Sequence, residues 1–69
     1  MKFLINGEIK IINFQEANPN LALLIAALGL NPKLIVVEFN GLILNQQRWK
    51  HQQVRNGDKL EIVTVVGGG

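Results

Sequence analysis

The residues best placed to do chemistry are the last three. Gly67, Gly68 and Gly69 directly follow Val65-Val66. Glycine has no Cβ, so a glycine end fits a channel too narrow for any side chain and adopts backbone angles closed to other residues. The reactive group it would carry is the α-carboxylate of Gly69. At neutral pH that group is ionised and inert toward nucleophiles, so a second protein must activate it. Four extended residues reach roughly 13 Å at ~3.3 Å each. Gly67 to Gly69 and one flanking residue therefore suffice to cross a pocket wall while the folded body stays outside. By composition alone, such an end is also what a linker or a frayed tail looks like.

The other chemistry-bearing residues are sparse. The chain has no cysteine. It cannot hold a persulfide or thioester on its own thiol, and a Cys-based zinc site is excluded. The one histidine, His51, lies in the polar stretch Lys50-His51-Gln52-Gln53, with no carboxylate or nucleophile at suggestive spacing. It reads as a solvated loop residue. Trp49 reads as a cap on one end of the core, and Arg48, Lys50 and Arg55 as solvated loop charges. Asn6-Gly7 and Asn40-Gly41 are turn chemistry, with no phosphate-cradle layout. Glu38 and Asp58 fall too far apart in the expected roll to form a catalytic pair.

Composition narrows the class. Sixty-nine residues make one domain near the lower limit for independent folding, and 48% of them are hydrophobic. That investment in core offsets the lack of disulfides. The formal charge is +2, from seven basic and five acidic residues spread along the chain. No basic run appears and the aromatics are not interleaved with Arg or Lys, which argues against nucleic acid. The longest apolar stretch, residues 21–30, is too short to span a bilayer. Asn6, Glu8 and Lys10 interrupt any signal-peptide core. The expectation is a cytoplasmic protein with no membrane partner, no metal and no bound cofactor.

The elements that must carry the tail follow from pattern. Residues 1–5 read as a strand, Asn6-Gly7 as a type I′ turn, and residues 8–14 as the return strand, with Ile9 and Ile11 alternating against Lys10. Asn18-Pro19-Asn20 marks a helix start, since Asn caps and Pro suits the first helical position. Leu21, Leu24, Ile25 and Leu28 form one helical face. Gly29 and Pro32 end a helix of about three turns. Residues 34–39 read as a largely buried strand, Asn40-Gly41 as a second hairpin turn, and Leu42-Ile43-Leu44 as a short strand. Residues 45–53 read as a loop or one helical turn. Asn56-Gly57-Asp58 is a turn, and residues 59–66 form the last strand.

A right-handed crossover through the helix makes a later strand parallel to the first. The simplest solution places the last strand between the opening hairpin and the third strand, with the helix across one face. The expected fold is an α+β roll with a mixed sheet of four to five strands. Its inward set is Phe3, Ile5, Ile11, Leu21, Leu24, Ile25, Leu28, Ile35, Val37, Phe39, Leu60 and Ile62. Residues 1–66 form the domain and 67–69 a flexible glycine tail.

This element order is that of the ubiquitin-like β-grasp, and the chain resembles the ThiS family of thiamine-biosynthesis sulfur carriers. The resemblance covers essentially the whole length. It rests on Ile5-Asn6-Gly7-Glu8, Leu28-Gly29-Leu30 and Val37-Glu38-Phe39-Asn40-Gly41. It continues through Trp49, the run Val54-Arg55-Asn56-Gly57-Asp58-Lys59-Leu60-Glu61-Ile62 and the glycine end. Gly67 is one glycine more than the pair usual in the family, which lengthens the arm and leaves Gly68-Gly69 in place.

The resemblance implies a protein co-substrate, not an enzyme. A ubiquitin-activating-type adenylyltransferase (ThiF-like) would use ATP to adenylate the Gly69 carboxylate. Sulfide or an enzyme persulfide, from a donor such as a cysteine desulfurase, would replace AMP and leave a terminal thiocarboxylate. That group would give its sulfur to a thiazole synthase (ThiG-like). Alternatives on the same fold are the small subunit of molybdopterin synthase, a ubiquitin-like protein modifier and a bare interaction module.

Delivering the tail needs a docking surface. The outward sheet face is expected to carry Leu4, Ile12, Leu34, Val36, Val63 and Val65. Such a face is more apolar than a solvated one, a property of partner sites.

Overall fold

A computed structural model describes residues 1–65. The chain opens with strands β1 (Lys2–Ile5) and β2 (Glu8–Ile11), paired antiparallel. The turn between them has Asn6 at φ 51° and Gly7 at φ 80°, the left-handed pair that a two-residue hairpin requires. Helix α1 (Leu21–Ala27) follows, then a 3₁₀ turn, Pro32–Leu34. Strands β3 (Ile35–Phe39) and β4 (Leu42–Leu44) form the second hairpin, a further 3₁₀ segment spans Gln46–His51, and β5 (Lys59–Thr64) ends the body.

The sheet order is β2-β1-β5-β3-β4, with β1 and β5 parallel and the other pairs antiparallel. This is the mixed roll expected from the element order. The last strand sits in the centre because a right-handed crossover through α1 leaves that slot for it.

Helix α1 is shorter than expected, seven residues instead of three turns. Its N-cap is Asn20, whose Oδ1 accepts from the Leu23 N–H at 2.9 Å. Pro19, which suits a first helical position, precedes the helix and is buried. The C-terminal signal holds as read. Gly29 at φ 73° donates its N–H to Ala26 O, and Leu30 donates to Ile25 O, the paired bonds of a Schellman motif.

The core lies between α1 and the inner sheet face. It comprises Phe3, Ile5, Leu21, Leu24, Ile25, Val37, Phe39, Trp49, Val54 and Leu60, with Leu28, Ile35 and Ile62 half-buried against it. Trp49 closes one end, its Nε1–H donating to Leu44 O at 3.0 Å. This satisfies the indole donor that burial would otherwise strand. Val54, which sequence period did not pick out, is 1% exposed.

Ile11 is the correction to the expected core, at 71% exposed. The residues of β2 alternate as expected, but with the opposite face toward the core. The two-residue turn pairs Phe3 with Lys10 and Leu4 with Ile9. Directly opposed residues project to the same face. Phe3 is buried, so Ile9 and Ile11 lie on the opposite, open face. The β5 end is also shorter than read, stopping at Thr64.

Candidate functional site

The site that matters is where β5 leaves the sheet. Beyond Ile5–Leu60, no further rung pairs β1 with β5. The Asn6 side chain extends the pairing. Its Oδ1 accepts from the Ile62 N–H at 2.7 Å and its Nδ2 donates to Ile62 O at 3.1 Å. From there β5 runs on against β3, through Val36–Val63 and Ile35–Thr64. The Val65 N–H donates to Leu34 O at 2.6 Å. The last described residue is thus held to the body by a backbone hydrogen bond.

On the open face beside that bond, alternation places Val36 and Leu34 next to Val63 and Val65. Their exposures are 40%, 50%, 61% and 49% respectively, so each retains apolar surface for a partner to cover. The next rung toward the centre pairs Glu38 with Glu61. Like charges directly opposed are unfavourable, and no basic side chain forms an ion pair with either among the described residues. Lys59 lies beyond them on β5, opposite Leu4 of β1.

The expected docking set is therefore divided. Leu34, Val36, Val63 and Val65 gather at the tail's origin. Leu4 sits across the polar rungs, in a second apolar patch with Ile9 and Ile11 on the opening hairpin. Ile12 does not belong to the open face. It is half-buried and packs against the core, past the end of β2. Its place is taken by Ile9 and, at the other edge, Ile43, which are 63% and 69% exposed. Hairpin register was the signal that could have found them. Gly67, Gly68 and Gly69 lie outside the described residues.

The opposite side of the molecule offers no competing catalytic centre among the described residues. A shallow groove of about 860 Å³ runs between α1 and the Gln46–His51 segment, lined by Ile25, Leu30, Trp49 and His51 among others. No carboxylate among the described residues lines it, so His51 has no acid–base partner there among them. Asp58 is occupied with structure. It accepts from Asn40 Nδ2 and from the Arg55 N–H, pinning the turn before β5. No group of three His, Cys, Asp or Glu residues among the described residues is arranged to hold a metal ion. No helix among them is long and apolar enough to cross a membrane.

The model of the ThiS family matches residues 3–69, the glycine end included. The chain belongs to the ThiS family. The crystal structure of a thiamine biosynthesis protein (ThiS) from Geobacter metallireducens superposes with a TM-score of 0.82 at 27% identity, covering 100% of both chains. The roll described above is thus the ubiquitin-like β-grasp of ThiS structures. An uncharacterized protein of Trieres chinensis, ycf40, is 40% identical over 97% of this chain and 88% of its own length. A thiazole synthase of Paramagnetospirillum magneticum is 39% identical over 100% of this chain, which spans 20% of that protein's length.

Proposed function

We propose that this ThiS-family chain is a sulfur carrier for the thiazole moiety of thiamine, acting through the terminal carboxylate of Gly69. The observation that carries the reading is the family match extending through the glycine end, on a body whose central strand ends at Thr64, shortly before it in sequence.

The chemistry is acyl activation followed by substitution. A carboxylate oxygen of Gly69 attacks the α-phosphate of ATP, held by a ThiF-like adenylyltransferase, and pyrophosphate leaves. The acyl adenylate so formed is attacked at its carbonyl carbon by sulfide. The C–S bond forms, the C–O bond to AMP breaks, and a thiocarboxylate remains. When the sulfur arrives as an enzyme persulfide, as from a cysteine desulfurase, a thiol must then cleave the resulting acyl disulfide. The thiocarboxylate passes its sulfur to a thiazole synthase. The segment of the P. magneticum thiazole synthase that resembles this chain supports a working relation between the two.

The body is a delivery device and not an enzyme. It binds no cofactor and docks through Leu34, Val36, Val63 and Val65, with Glu38 and Glu61 alongside. A partner surface with an apolar centre and a basic flank would cover the exposed valines and relieve the opposed carboxylates. Leu4 lies outside this patch and is assigned no part in it.

The test is Gly69→Ala with the adenylating partner. The variant should melt as the wild type does and lose ATP–pyrophosphate exchange by at least tenfold. Intact mass of the loaded wild type should show one oxygen replaced by sulfur. Normal exchange by the variant refutes the tail mechanism. Ladders of protein conjugates from the native cell would indicate a modifier instead.

A further inference from the structure

We propose that β2 is a self-complementary edge through which two copies of this chain pair antiparallel, continuing the sheet from one copy into the next. Among the described residues β2 is an edge strand, bonded only to β1. The Leu4 and Asn6 N–H groups donate toward β5, to Asp58 O and Leu60 O. Alternation along β1 then turns the backbone groups of Phe3 and Ile5 toward β2, where they face Lys10 and Glu8. In β2, the N–H and C=O groups of Ile9 and Ile11 therefore point away from the sheet. They form a template for another strand.

The sequence of β2 selects what that strand is. With a twofold axis at Ile9, Ile9 opposes Ile9 of the second copy. Glu8 then opposes Lys10, and Lys10 opposes Glu8. Ile11 opposes Gly7, which adds no side-chain clash. Ile9 and Ile11 are the residues with outward backbone groups, so this register makes the Ile9 pair a hydrogen-bonded one. The charge pairs fall at the closer, non-hydrogen-bonded positions. Shifting the axis to Lys10 would oppose Lys10 to Lys10, an unfavourable pair. Within one copy, Lys10 Nζ already lies 3.4 Å from Glu8 Oε2, so both side chains extend on the same face and are available to exchange partners.

The pairing also joins what the monomer leaves as separate patches. Ile9 and Ile11 are 63% and 71% exposed and lie with Leu4 on the open face. In the paired form, the two hairpin patches become one continuous apolar strip. The interface is isologous, and it closes at two copies because each uses the same edge. The other edge, β4, is three residues long, Leu42–Leu44, and has no charges to fix a register. The tail-side patch on β3 and β5 stays open in the dimer, so association and delivery are compatible.

Sedimentation equilibrium of the full chain from low micromolar to about millimolar concentration tests this. The weight-average mass should rise from the 7.7 kDa of the monomer toward twice that value. Glu8→Lys, which replaces both attractive pairs by Lys–Lys pairs, should weaken association about tenfold or more. Glu8→Lys combined with Lys10→Glu should restore it. Circular dichroism melting should show all variants folded, since both side chains are solvent-exposed. A mass that stays monomeric throughout overturns the proposal. So does a dimer indifferent to Glu8→Lys, or one that the double reversal fails to recover.

Discussion

Val63→Asp is the sharpest probe of the tail-side patch. Val63 opposes Val36 across β5 and β3 and is 61% exposed. Burying a valine side chain completely is worth roughly 1.5–3 kcal/mol, so its exposed share leaves about 1–2 kcal/mol to be gained when a partner covers it. Aspartate forfeits that gain and must shed water on docking, a penalty of at least ~2 kcal/mol for an unpaired carboxylate in an apolar contact. The total, about 3–4 kcal/mol, corresponds to a Kd more than 100-fold weaker. The fold loses only β-propensity and one cross-strand contact, about 1 kcal/mol, which lowers Tm by ~4–8 °C. The assay is titration calorimetry with a ThiF-like adenylyltransferase at low micromolar chain, with melting curves on the same preparations. Ile11→Asp is the control: a still more exposed isoleucine, 71% against 61%, on the same face but in the hairpin patch. It should leave the Kd within about twofold, a difference of roughly 0.4 kcal/mol. The reasoning is refuted if Val63→Asp binds as the wild type does, or if Ile11→Asp weakens binding equally.

The remaining predictions concern side-chain hydrogen bonds that hold β5 and the end of the core in place. Asn6→Ala removes both hydrogen bonds to Ile62 and leaves Ala at φ 51°. At ~1 kcal/mol for each bond and ~1 kcal/mol for the left-handed backbone, Tm should fall by about 12–24 °C. Asn6→Gly should recover the conformational part alone, and equal melting of the two variants would contradict this partition. Trp49→Phe deprives Leu44 O of its donor and leaves a small cavity. The expected cost is about 2 kcal/mol, a Tm drop of ~8–16 °C, with pyrophosphate exchange unchanged below the transition. Loss of exchange in the folded variant would mean that Trp49 takes part in docking.

Much of the fold was legible because its signals are local. Asn6-Gly7 and Asn40-Gly41 adopt the positive φ angles that their residue types favour, and Gly29 ends α1 where a left-handed residue belongs. The stripe Leu21, Leu24 and Ile25 is buried as its spacing requires. The errors came from non-local terms. Period two tells that side chains alternate, but the face is chosen by the strand next door, and for Ile11 and Ile12 that strand is β1. The structure caps α1 with Asn20, one residue past Pro19, and the Asn20 side chain also ties the helix start to Lys50 O. Trp49 is legible as a core cap, whereas Val54 stands alone in a polar stretch, and only the packed body shows what it meets.

From residue types and spacing alone came the absence of a thiol, the glycine end, the turns, and the order of strands around one helix. These depend on covalent chemistry and on backbone preferences that act within a few residues. Tertiary structure decided which apolar residues remain outside. It split the open face into two patches separated by Glu38 and Glu61, and it placed one patch at the origin of the tail. It also left the backbone of Ile9 and Ile11 facing outward at an edge. These outcomes follow from register between strands distant in sequence. Residues such as Val36 and Val63 become neighbours only when β3 and β5 pair, and no local preference encodes that meeting.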